Sequence, residues 1–167
     1  MIFRSNSECY ESFRYCCHPR YFGHYSLFNI NDDALIVDKG AFYCASAGLG
    51  VSAKLQGNVS SALFGGEGLF QTQVKGSGVV VLASPVPTDE LLMYELASGE
   101  KLSVDGSFAF ARTSGVEFRA EKSGKSLLQS ATSGEGLLQT FTGPGVVWIA
   151  PTEDVYKRLA MLGSRLT

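Results

Sequence analysis

The sequence predicts an all-β protein. Two packed antiparallel sheets form a sandwich or short double-stranded β-helix, built from two similar units and followed by a short C-terminal helix. Three observations predict it. First, the chain uses one stretch twice: GEGLFQTQVKGSGVVVLASP from Gly66 to Pro85, and GEGLLQTFTGPGVVWIAP from Gly134 to Pro151. Self-similarity at a period of roughly 67 residues marks a repeated supersecondary unit. Second, short apolar runs rich in Val, Phe and Thr alternate with glycine- and proline-containing turn signals. Third, only 18% of residues are charged while 19 are glycine, which suits sheets and turns rather than disorder or a helical bundle.

Residues 1–17 read as an irregular lead-in, a truncated or divergent start. They hold three of the four cysteines, Cys9, Cys16 and Cys17, and show no clean alternation. Residues 18–167 form a single β domain, with repeat units at 31–87 and 91–151. A strand is expected over Tyr25–Ile30 and another over Ala34–Val37, ended by the turn signal Asp38-Lys39-Gly40. In Val51–Gln56, Val51, Ala53 and Leu55 alternate with Ser52, Lys54 and Gln56, which predicts a half-buried strand. Gly68–Val74 is the next strand. Gly76-Ser77-Gly78 is read as a turn, and the short β-branched run Val79–Ala83 as a strand buried on both faces. Pro85 and Pro87 close the unit, because proline cannot continue a ladder.

The second unit repeats the plan. Strands are expected over Leu91–Leu96 and Lys101–Val104, the latter ending at the hairpin dipeptide Asp105-Gly106. Val116, Phe118 and Ala120 alternate with Glu117, Arg119 and Glu121. Gly143-Pro144-Gly145 turns the chain into Val146–Ala150, which holds the single Trp148. A helix is predicted over 152–166. Thr152 is placed to cap it, and Glu153 and Asp154 suit the positive end of the helix dipole. Glu153–Lys157 and Asp154–Arg158 are spaced for ion pairs. Val155, Leu159, Leu162 and Leu166 form an apolar stripe expected to dock on the sheets.

A net charge of −2 lacks the basic stripe that phosphate binding needs, so no nucleic-acid partner is expected. No apolar run is long enough to span a bilayer. The crowded cysteines, with no secretory leader before them, point to reduced thiols and an intracellular compartment. A cupin-type metal site needs two or three histidines and a carboxylate, but the chain has only His18 and His24. Cys16-Cys17-His18 lacks the paired spacing of a zinc site. Ser123-Gly124-Lys125-Ser126 ends like a phosphate loop, yet Arg119 stands where that loop needs its first glycine. No catalytic or metal residue and no cofactor is therefore expected. Glu67 and Glu135 are the ligand-binding candidates, because each sits between glycines at the same point of its repeat. The competing reading is a repeated turn pinned by a carboxylate, with Gly66, Gly68, Gly76, Gly78, Gly134, Gly136, Gly143 and Gly145 as structural turns.

The residues ALFGGEGLFQT, the following GSG and VVVLASP, and then GEGLLQTFTGPGVVWIAP, resemble the signature of the "altered inheritance of mitochondria" biogenesis family and its bacterial relatives. The resemblance covers residues from about 18 to 156. It implies a fold like the tryptophan RNA-binding attenuation protein, a short double-stranded β-helix, usually of three units. His18–Ile30 then looks like the end of a first unit whose beginning is missing. Exposed sheet edges would follow, and these invite pairing with another chain. The resemblance implies mitochondrial localisation if the source is eukaryotic and cytoplasmic if it is bacterial. It supplies no catalytic residue. The expected function is thus a non-enzymatic structural or scaffolding protein that forms a homo-oligomer and contacts other proteins. The alternative is a small-ligand or RNA-binding module of the attenuation-protein-like fold.

Overall fold

The computed structural model describes residues 13–16, 23–38, 40–56, 69–105, 108–122 and 137–163. The first unit holds β1 (Phe13–Cys16), β2 (His24–Val37), β3 (Phe42–Ser46), β4 (Leu49–Gln56) and β5 (Leu69–Ser84). A 3-10 turn over Thr88–Glu90 leads to the second unit. There lie β6 (Leu92–Leu96), β7 (Lys101–Asp105), β8 (Ala109–Thr113), β9 (Glu117–Lys122), β10 (Leu137–Thr142), β11 (Gly145–Ile149) and the helix α1 (Glu153–Gly163). Among the described residues every strand pairing is antiparallel, in two sheets, as the composition and turn spacing predict.

The sequence repeat is also a structural repeat. β8 begins 67 residues after β3, at Ala109 against Phe42. The first unit differs from the second by fusing strands. The two strands expected over Tyr25–Ile30 and Ala34–Val37 are one, β2, bent at Asp32, whose φ is 49°. Pairing slips between Ile30 and Asp33, and the Asp33 carboxylate accepts the Ala34 N–H at 2.6 Å. β5 likewise runs unbroken through Gly76 and Gly78, so these glycines do not end a strand as the sequence reading had it. They sit at φ 129° and 153°, and a Cβ on Gly76 would lie 2.5 Å from the Gly48 carbonyl oxygen. Glycine is therefore needed there for conformation and for close approach. In the second unit the matching strands are broken: β6 and β7 by residues 97–100, β10 and β11 by the cis Gly143–Pro144 bend.

The larger sheet runs β1-β3-β5-β2-β8-β11-β6, with β4 also on β5; the smaller runs β7-β10-β9. The units join where the second half of β2 pairs with β8, with Leu35 opposite Thr113, Ile36 opposite Arg112 and Val37 opposite Ala111. The Asp38 N–H donates to the Phe110 carbonyl (3.0 Å) and the Ser114 N–H to the Ala34 carbonyl (2.9 Å), closing both ends of this seam. One apolar cluster gathers Val37, Leu49, Val74, Val80 and Leu82 with Phe110 and Ala111. A second gathers Val104, Val116, Phe118, Ala120, Phe141 and Val147. Phe28 meets Trp148 edge-on at 5.2 Å, with Phe110 at 6.3 Å, so aromatic rings also cross the seam.

Several expectations are corrected. The stripe on α1 does not dock: Val155, Leu159 and Leu162 are 56%, 58% and 59% exposed, while Leu166 lies outside the described residues. The helix is held by its first turns instead. The Thr152 hydroxyl donates to Glu90 across the chain and, among the described residues, makes no side-chain bond to the helix it was expected to cap. The Glu153–Lys157 ion pair forms at 2.7 Å, whereas Asp154 approaches Lys157 at 3.7 Å rather than the expected Arg158. On β4 the burial does not alternate as expected: Val51 and Lys54 are half-buried, while Ala53 is exposed and Leu55 is 57% exposed. In the second unit Val116, Phe118 and Ala120 are buried as expected. Finally, Val79 and Val81 are half-buried, so the run in β5 is not sealed on both faces.

Candidate interaction site

Glu67, Glu135, Gly66, Gly68, Gly134 and Gly136 lie outside the described residues, as do His18, Cys9, Cys17 and Ser123–Ser126. Of the remaining turn glycines, Gly143 lies in the bend before β11 and Gly145 at the start of that strand, at φ 141°. A Cβ on Gly145 would run into the Thr113 hydroxyl and lie 2.7 Å from a Val116 methyl. Cys44 is a buried cysteine on β3. His24 packs edge-on against Tyr156 at 5.8 Å. Among the described residues no group of three or more His, Cys, Asp or Glu is placed to hold a metal ion.

Among the described residues, one unit edge is closed by a strand and its counterpart is not. β7 occupies the repeat position of the second half of β2, with Lys101–Val104 standing 67 residues after Ala34–Val37. That half of β2 is hydrogen-bonded on both sides, to β5 and to β8. β7 pairs with β10, and among the described residues it has no second strand partner. Its backbone alternates in direction. The Glu100 carbonyl accepts the Gly143 N–H at 2.9 Å, so even-numbered residues face β10. The odd-numbered Lys101, Ser103 and Asp105 then turn their N–H and C=O groups outward. The seam gives the same answer, since Ala34 and Asp38, the counterparts of Lys101 and Asp105, bond outward to β8.

A buried side chain also crosses the seam. Arg112, on β8, is 3% exposed. Its Nη2 donates to Gln71 Oε1 across the seam at 3.2 Å, and its Nη1 to the Val116 carbonyl at 3.4 Å. The guanidinium lies over the Phe118 ring, 5.5 Å from its centroid, while Nε has no partner. Burial pushes the Arg112 pKa down to about 10, so the group stays charged at neutral pH. Gln139 belongs to the second Gln-Thr motif but by register stands where the first unit has Thr72, since it lies opposite Val104 as Thr72 lies opposite Val37. It is 8% exposed, and its Oε1 has no hydrogen-bond partner among the described residues.

Glu90 anchors the helix beside β6. Thr152 and Tyr156 each donate a hydroxyl to its carboxylate at 2.5 Å. The Thr152 bond, then the Tyr156 bond, hold the Glu90 carboxyl below the usual carboxylate value, and the bond to Glu90 raises the Tyr156 phenol. A depressed carboxylate stabilises above its ordinary titration range and loses that contribution as pH falls through its folded pKa. A raised phenol loses its contribution as pH rises through its own. The anchor is intact between those two limits.

The sequence reading missed Arg112, its bond to Gln71, and the β7 edge. Arg112 stands where the first unit has Ala45, and its role emerges only when the two units are aligned strand by strand.

These features define a repeat-built antiparallel β protein whose units join by strand addition across a polar-backed seam. The chain belongs to the mitochondrial biogenesis AIM24 family, whose model matches residues 10–152. Its fold is similar to that of protein SPYM3_0169 from Streptococcus pyogenes, a crystal structure. The TM-score is 0.64 at 20% identity, over 89% of this chain and 62% of that one. The chain therefore spans less than two thirds of that protein's length. At this identity the likeness shows the fold alone. No curated protein matches the chain. No helix among the described residues is long and apolar enough to cross a membrane.

Proposed function

We propose that the chain is a non-enzymatic structural protein of its family, acting by self-association and by contacts with other proteins. The observation that carries this reading is the open β7 edge, because the matching edge of the first unit is closed by a strand. An unpaired edge with outward N–H and C=O groups is a template for another strand. The family's link to mitochondrial biogenesis gives the reading its setting: a scaffold in mitochondria if the source is eukaryotic, and in the cytoplasm if it is bacterial. Native mass by light scattering over a range of concentrations tests it. The expected result is a discrete multiple of 17.9 kDa that grows in as concentration rises. A monomer at every concentration would overturn it.

A further inference from the structure

We infer that the outer edge of β7 is a self-complementary docking strand that pairs with β7 of a second copy about a twofold axis. This rests on the self-association proposed above and names its surface.

The repeat shows that the position is a pairing position. The second half of β2 takes β8 on the edge that β7 leaves open, and the β2–β8 seam is a working example of the contact inside the same chain. β7 itself is regular. Its five residues pair with β10 without a register break, and it contains no proline. Devices that ordinarily block an edge are thus missing from it, apart from the charges at its two ends.

Those charges select the occupant. An antiparallel twofold through Ser103 sets Ser103 opposite Ser103 of the second copy, and Leu102 opposite Val104. It also sets Lys101 opposite Asp105, at both ends of the pairing. The outward groups of Lys101, Ser103 and Asp105 then meet one another as hydrogen-bonded pairs. A twofold through Lys101 or through Asp105 would place like charges opposite each other, which is unfavourable. The Ser103 register is the one that pairs all five residues and opposes unlike charges at each end. It also continues the apolar inner face. Val104 is buried and Leu102 half-buried against the second core cluster, so the second copy would add its own Leu102 and Val104 beside them. A strand pair this short buries less than the roughly 1,000 Å² of a stable interface, so the dimer is concentration-dependent. Its end pairs are between opposite charges and Lys101 is exposed, so salt weakens it.

The test is sedimentation equilibrium on the whole chain and three variants, with circular dichroism to confirm folding. Ser103→Pro removes an outward N–H while the bonds to β10, made by even-numbered residues, remain. It should abolish dimerisation. Lys101→Glu lies on an exposed residue and sets like charges opposite each other twice. It should weaken the dimer roughly tenfold, from two unfavourable cross-strand pairs. Lys101→Glu combined with Asp105→Lys exchanges the charges and should restore the wild-type affinity. An oligomer that persists unchanged in Ser103→Pro and Lys101→Glu would overturn this surface while leaving self-association standing. A double variant no tighter than Lys101→Glu would overturn the twofold register and assign the edge to a different strand. A monomeric wild type would overturn both the surface and the proposed function.

Discussion

Replacing Phe141 with alanine should destabilise the fold by about 3–5 kcal/mol, the cost of deleting a buried aromatic ring and leaving its cavity. Phe141 is 1% exposed at the centre of the second cluster, and its ring sits 5.3 Å from that of Phe118. Phe118 in turn underlies the Arg112 guanidinium. Losing Phe141 therefore loosens the support of the seam as well as the core. Urea denaturation followed by tryptophan fluorescence measures it, since Trp148 is the single tryptophan and contacts Phe28 across the seam. A change below about 1 kcal/mol would mean that this core does not hold the second unit together.

Arg112 gives the second large effect, and its sign depends on what replaces it. Arg112→Ala strands Gln71 Oε1 and the Val116 carbonyl and leaves a cavity, so a loss of about 3 kcal/mol is expected. Arg112→Met keeps most of the stem and removes a buried cation that has no carboxylate ion pair among the described residues. Relief of that desolvation offsets the lost hydrogen bonds, and the loss should stay under about 1.5 kcal/mol. Urea midpoints of the two variants, compared at unchanged slope, check the contrast. Equal losses would mean that the guanidinium's hydrogen bonds, rather than its stem, hold the seam.

Much of the architecture was legible because strand chemistry is local. The duplicated Gly-Glu-Gly-Leu stretch, the alternation at Val116–Glu121 and the Gly143-Pro144 bend each declare themselves within a few residues. What was not legible depends on partners distant in the chain. Gly76 and Gly78 read as a turn because positive-φ glycines usually end a strand. Here the strand continues, because β2 pairs with it on both sides of the slip at Asn31–Asp32. The apolar stripe of α1 read as a docking face, since spacing reports amphipathicity but not what lies opposite. The helix is instead tethered through Glu90, which is 62 residues from Thr152. The candidate site was the least legible. Glu67 and Glu135 drew attention as charges flanked by glycines, whereas the open edge of β7 carries no unusual residue. A strand edge is defined by which neighbour is missing, and no local pattern encodes that. Only the strand-by-strand comparison of β7 with its counterpart, the second half of β2, exposes it.

Amide hydrogen exchange at Ser103, read beside its repeat counterpart Ile36, tests the central claim most directly. Ile36 lies in the β2–β8 seam and is buried, so its amide should be protected at any concentration. The account predicts that the Ser103 amide exchanges quickly in dilute protein and becomes protected as concentration rises, when a second β7 covers it. Protection equal to that of Ile36 even in dilute protein would show the edge already closed within one chain. Fast exchange at every concentration would show that nothing pairs there, and either result would contradict the account.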